Sequence, residues 1–110
     1  IEHVDAIKNL DEILDNKYIY GSIIGPYDLS GSMGKPGNYD DNDILELLKK
    51  YESTAKKFKK KIGFHVIKPD HNLVYEKIKD GYDFIAFSLD TIFLGQMPRN
   101  ELEKLKIKLK

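Results

Sequence analysis

Two carboxylates and one histidine stand where this chain could use them. Asp28 lies in Gly25-Pro26-Tyr27-Asp28-Leu29-Ser30-Gly31-Ser32-Met33-Gly34, directly after an apolar run. Glu2 lies just before a helical pattern, where another strand would end. Carboxyl groups at the ends of adjacent strands of one sheet can converge on a single hard cation. Oxygen ligands with positions left open to water suit Mg²⁺ or Mn²⁺. Taken singly, Asp28 also reads as the cap of a short helix that follows it. Glu2 taken singly reads as a solvated terminal residue. Pro26 has no amide hydrogen. The amides of Tyr27 and Asp28, at a helix start, could hold a substrate carboxylate. Glycines are common in any tight turn, so the glycine-rich loop adds little by itself.

The histidine is His65. In Ile62–Ile67, Phe64 and Val66 point one way and Gly63, His65 and Ile67 the other. If the apolar pair meets helices, His65 turns away from them, near the carboxyl end of its strand. It then either lines a pocket or serves as a hydrogen-bonded structural histidine. His71 falls at the start of a surface helix, and His3 carries little weight.

These residues need elements to place them. Val4, Ile7, Leu10, Ile13 and Leu14 repeat with helical spacing, which predicts a helix over 4–14. Residues 18–24 predict a buried strand ended by Gly25-Pro26. A long connection to Tyr39 holds one short helical turn after Asp28. Asn42 or Asp43 caps a helix to about Lys60. A second strand covers 62–67 and Asp70 caps a helix over 71–79, which Gly81 ends. A third strand covers 83–89. A helix over 91–109 is expected to break near Pro98, and its lysine-rich tail reads as a solvated face. The links between strands are long enough for crossovers, so the strands should be parallel and the class α/β, with both sheet faces covered. Ligands of such sheets bind at the carboxyl ends of the strands. There the chain offers the residues after Ile24, Lys68-Pro69-Asp70, and Ser88-Leu89-Asp90-Thr91.

The 110 residues suffice for one small domain, 1–110, and not for a multidomain enzyme. Eighteen basic residues cancel 18 acidic ones, so no nucleic-acid or membrane partner is expected. The chain has no cysteine, which excludes disulfides, thiolate metal sites and a cysteine nucleophile. No signal peptide or membrane-spanning run is visible, and a cytoplasmic location is expected. There is no GxSxG, HExxH or GxxxxGK[ST] pattern. The predicted strands offer no lysine for a Schiff base except Lys68 at an end.

Three segments together resemble the metal-dependent 2-oxo acid aldolases: Ile1-Glu2, residues 6–14, and the Gly-Pro-x-Asp-Leu-Ser block at 25–30. That group includes 2-dehydro-3-deoxyglucarate and 2,4-dihydroxyhept-2-ene-1,7-dioate aldolases, with the citrate lyase beta chain as a more distant relative. The resemblance continues through Gly63, residues 81–86 and Asp90-Thr91. It implies a (β/α)8 TIM barrel of roughly 250 residues. This chain would be its carboxyl-terminal half, from the tip of strand five through helix eight, and the first element reads as cut into. The resemblance further implies Glu2 and Asp28 as ligands of Mg²⁺ or Mn²⁺. It implies a carboxylate site at Gly25, Pro26, Tyr27 and Asp28, built on the amides of Tyr27 and Asp28. Family members carry a small residue at the Tyr27 position, so the pocket wall differs here. The implied reaction cleaves a 4-hydroxy-2-oxo acid to pyruvate and an aldehyde through a metal-stabilised enolate. The family's carboxylate-binding Arg and its His-Asp pair belong to the missing amino-terminal half-barrel. Of the residues present, His65 is the catalytic candidate. A homo-oligomer is expected, with the isolated fragment inactive. A citrate-lyase-like CoA-ester lyase, and a non-catalytic half-barrel binding a carboxylate ligand or partner, are the rival readings.

Overall fold

A computed structural model describes all residues, 1–110. Six helices alternate with three strands: α1 Val4–Lys8, α2 Leu10–Asp15, β1 Gly21–Ile24, α3 Pro26–Ser32, α4 Asn42–Lys57, β2 Lys61–Val66, α5 His71–Lys79, β3 Phe84–Phe87 and α6 Asp90–Lys108. The strands form one parallel sheet in the order β1-β2-β3. This is the α/β crossover pattern expected of half a barrel.

The apolar spacing places the core. Ile7, Leu10 and Leu14 from α1 and α2 meet Ile24, Leu29, Tyr51, Ala55, Phe64, Val66 and Tyr82 in one cluster. Each fully buried Leu or Ile contributes roughly 1.5–3 kcal/mol. Tyr51 is fully buried, so its hydroxyl needs partners. It donates to Ser22 O at 2.6 Å and sits 3.0 Å from Ser22 Oγ, which ties α4 to β1. Burial pushes this phenol's pKa up. The core lies on one face of the sheet only. Coverage of both faces was expected from the apolar strands, and the structure corrects this. Ile23, Gly63, His65, Phe84 and Ala86 occupy the other face by alternation and register.

Several boundaries differ from the expectation, each for a local reason. The helix over 4–14 is interrupted at Asn9, whose Nδ2 and backbone N–H both donate to Asp5 O, at 2.9 and 3.1 Å, as the C-cap of α1. The first strand begins at Gly21 rather than Tyr18. Asn16 Oδ1 accepts from Tyr18 N in a turn, leaving Tyr18 and Tyr20 exposed. Asp41, not Asn42 or Asp43, caps α4. That helix stops at Lys57 because Lys59 turns left-handed (φ 55°) and Lys60 N closes back on Ala55 O. α5 keeps its expected span, capped by Asp70 and followed by Gly81 at φ 96°. α6 runs unbroken through Pro98. None of its residues is buried, so water can meet the carbonyl that Pro98 leaves unbonded. No helix is long and apolar enough to cross a membrane.

Candidate active site

The sheet continues past β1 into the first residue. The Ile1 amino group donates to Ile23 O at 2.6 Å, and Gly25 N donates to Ile1 O at 3.0 Å. That is a parallel ladder, and it sets Ile1 beside Ile24 and Glu2 level with Gly25. Ile1 packs toward the helices with Ile24, so alternation turns Glu2 to the open face. The register Ile24↔Phe64 puts His65 level with Gly25, and His65 pairs with Ala86. One row therefore crosses the open face: Glu2, Gly25, His65, Ala86, with about 4.8 Å between strands.

Gly25 is the centre of this arrangement. A Cβ at Gly25 would lie 3.0 Å from Glu2 Cγ, 3.2 Å from Glu2 Oε1 and 3.6 Å from Asp28 Oδ2. Both carboxylates thus face the small space that a glycine leaves free. Its φ is −100°, so the position needs glycine for room and not for conformation. No lysine, arginine or histidine forms an ion pair with Glu2 or Asp28. Two converging acidic groups with no basic side chain paired to them fit a divalent cation by the chemistry of their donors. No cluster of three or more His, Cys, Asp or Glu able to hold a metal occurs in the chain, so its protein donors here would be these two.

The local fold explains Asp28. α3 begins at Pro26, with Gly25 as its N-cap residue, so the helix starts three residues earlier than expected. Asp28 is therefore inside the first turn and does not cap the helix; its carboxylate accepts no hydrogen bond. Leu29 N is the first amide to bond back, to Gly25 O at 3.0 Å. The amides of Tyr27 and Asp28 have no partner, as the first turn of a helix dictates. Two buried or half-buried serines hold the turn. Ser30 Oγ donates to Tyr27 O and accepts from Gly37 N, while Ser32 Oγ donates to Leu29 O and accepts from Val4 N. The second serine links α3 to the start of α1, and so sets Asp28 against Glu2. Neither serine was distinguishable in sequence from ordinary turn residues.

Other residues fall into place around the row. Half-buried His65 has Nε2 3.3 Å from Ser88 O. The ring of Tyr27 passes 3.8 Å from the Cβ position of Gly37. Tyr39, in the same loop, is half-buried. Burial raises its phenol's pKa, and the neighbouring Tyr27 and Asp28 raise it further. Tyr39 was missed in the sequence; an aromatic residue inside a glycine-rich loop was the only signal. His3 caps α1 through Asp5 N, and His71 is exposed on α5. Lys68 lies beyond β2 and is exposed. β2 starts one residue early, at Lys61, which adds a lysine to the strand. It pairs with Asp83 at 2.6 Å at the opposite end of the sheet from Glu2. A cleft of about 620 Å³, lined by Lys49, Glu52, Lys60 and Asp83 among others, also opens at that far end.

Residues 1–95 match the HpcH/HpaI aldolase/citrate lyase family. The chain belongs to this family. Among its relatives is a 2-keto-3-deoxy-L-rhamnonate aldolase of Escherichia coli, 34% identical over 106 residues that make up 96% of this chain and 39% of the relative. The HpcH/HpaI aldolase from Desulfitobacterium hafniense superposes with a TM-score of 0.87 at 25% identity, over 96% of this chain and 40% of that one. Macrophomate synthase shares the fold with a TM-score of 0.84 at 23% identity, over 98% and 37%. The chain spans about 40% of the length of the HpcH/HpaI proteins it matches.

Proposed function

We propose that this chain carries the metal- and pyruvate-binding part of a divalent-metal-dependent aldolase, which cleaves a 4-hydroxy-2-oxo acid to pyruvate and an aldehyde. One observation carries the reading: Glu2 Oε1 and Asp28 Oδ2 both approach the Cβ position of Gly25, at 3.2 and 3.6 Å. Membership of an aldolase and citrate lyase family supports it. So does the likeness to an aldolase acting on a 2-keto-3-deoxy sugar acid.

Each group has a task in this reading. Glu2 and Asp28 would hold Mg²⁺ or Mn²⁺. When bound, the cation supplies positive charge beside the oxygens that gain negative charge as the carbon–carbon bond opens. The free amides of Tyr27 and Asp28 receive the substrate carboxylate. Pro26 fixes the backbone that aims them, and Gly25 keeps the space clear. His65, one strand from Gly25 in the same row, contacts the aldehyde portion or a bound water. Tyr27 and the loop carrying Tyr39 form the wall. The remaining proton-transfer groups would come from a complementary amino-terminal half-barrel, and the working enzyme would be a homo-oligomer.

The test is Asp28→Asn, which keeps the shape and removes one charge. Calorimetric titration should show Mn²⁺ affinity falling at least about 10-fold with little change in the melting temperature. Unchanged Mn²⁺ affinity in a folded variant would sink the metal assignment.

A further inference from the structure

β3 ends in a backbone step that acts on His65. Ser88, the next residue, has φ 58°, in the left-handed region that a residue with a Cβ adopts at a cost. It is only 7% exposed. Its amide donates to Val66 O at 2.7 Å and its hydroxyl donates to Ile67 O at 2.7 Å. Both donors of Ser88 are therefore fixed to the carboxyl end of β2. The Ser88 carbonyl oxygen comes to 3.3 Å from His65 Nε2.

A carbonyl oxygen only accepts, so Nε2 must carry the hydrogen of this contact. In the neutral ring that leaves the lone pair on Nδ1, and no group of the chain bonds to Nδ1. His65 stands on the open face, level with Gly25 and one strand away. We propose that Ser88 is a positioning residue: its left-handed backbone holds His65 as the Nε2–H tautomer and leaves Nδ1 as a free acceptor on the face that carries Glu2. Resting on the aldolase reading, that acceptor meets a hydroxyl of the substrate. The tautomer itself rests on geometry alone. Histidine tautomers in metal and catalytic sites are commonly set by the bond that the other ring nitrogen makes, and a backbone carbonyl is a usual partner.

The proposal separates backbone geometry from side-chain chemistry, and variants can do the same. Glycine tolerates positive φ and keeps the carbonyl in place. Valine is branched at Cβ and does not. The measurement is nitrogen-15 and proton NMR of the imidazole rings in the 110-residue chain, free of metal and substrate. It is made at about pH 8.5, above the ordinary histidine pKa. His65→Gln assigns the signal. His65 should show a protonated Nε2, an unprotonated Nδ1, and a tautomer ratio shifted about five-fold from that of exposed His71. Ser88→Gly should keep this signature. Ser88→Val should lose it while the backbone spectrum stays folded. Should Ser88→Val not fold, Ser88→Ala, which loses the hydroxyl bond to Ile67 as Ser88→Gly does but keeps the Cβ that disfavours left-handed backbone, should reduce the shift. A protonated Nδ1 in the unmodified chain would overturn the proposal. So would loss of the signature in Ser88→Gly, an unchanged signature in folded Ser88→Val, or, should Ser88→Val not fold, an unchanged signature in Ser88→Ala. No aldolase assay enters the measurement, so failure of the functional reading leaves its outcome distinct.

Discussion

Replacing Gly25 by alanine tests the centre of the site with a single methyl group. The new Cβ would lie 3.0 Å from Glu2 Cγ and 3.2 Å from Glu2 Oε1, tighter than ordinary contact, and 3.6 Å from Asp28 Oδ2, which is ordinary. Glu2 is exposed and free of hydrogen bonds, so it moves and Asp28 stays. The fold should barely change. Alanine reaches φ −100° without strain and restricts the unfolded chain, a gain of about 0.4–1 kcal/mol. Alanine is a poorer N-cap residue than glycine, a loss of about the same size. The net is within about 0.5 kcal/mol of zero, or roughly 2–4 °C in melting temperature. Metal affinity should respond far more. Disturbing the orientation of a ligand commonly costs about 10–100-fold. The assay is calorimetric titration with Mn²⁺ beside a circular-dichroism melt of the same sample. Wild-type Mn²⁺ affinity in a folded Gly25→Ala chain would refute the convergence of Glu2 and Asp28 on one cation. A melting temperature lowered by more than about 8 °C would refute the argument that only Glu2 gives way.

Gly21→Ala should behave in the opposite way. Its Cβ would meet the Lys61 carbonyl oxygen at 2.6 Å, which is backbone and cannot swing aside, so a loss of about 1–3 kcal/mol is expected with no direct effect on the carboxylate pair. An unchanged melting temperature would contradict the Gly21↔Lys61 register. Asp83 accepts from Lys61 Nζ and from Ile62 N, and the lysine holds its carboxyl pKa below the usual range. A lowered folded-state pKa means stability that is present above the unfolded carboxylate range and lost as pH falls through the folded value. Melting temperature should therefore rise with pH through the acid range, less steeply in Asp83→Asn; equal slopes would count against the pairing. Finally, the chain alone should release no pyruvate from a 4-hydroxy-2-oxo acid, and its unpaired parallel edges should favour dimers or larger species on size exclusion. Adding an amino-terminal half-barrel should restore chelator-sensitive release. Full turnover by a monomer of this chain alone would overturn the half-barrel mechanism.

Some of this protein is determined residue by residue along the chain. Alternation is a property of the extended backbone, so Phe64-His65-Val66 already placed His65 opposite the helix-facing pair. Helical spacing put Ile7, Leu10 and Leu14 in the core, and Asp70 and Gly81 bounded α5 because caps act within one turn. The family, too, was readable in a local motif, from Gly25 to Ser30, set a fixed distance after Glu2. Other features depend on groups far apart in sequence. The reason for glycine at position 25 lies in the side chain of Glu2, 23 residues away. Ser88 adopts its left-handed turn while bonded to Val66, the last residue of β2, and to Ile67 just beyond it, and no pattern within residues 83–90 announces that. Pro98 failed to break α6 because the helix stands in solvent, a matter of surroundings and not of the proline itself. Local steric preferences are short-ranged, so the chain could name the carboxylates and the histidine. Whether they share one row was decided by the register of the parallel sheet, which hydrogen bonds between distant segments set.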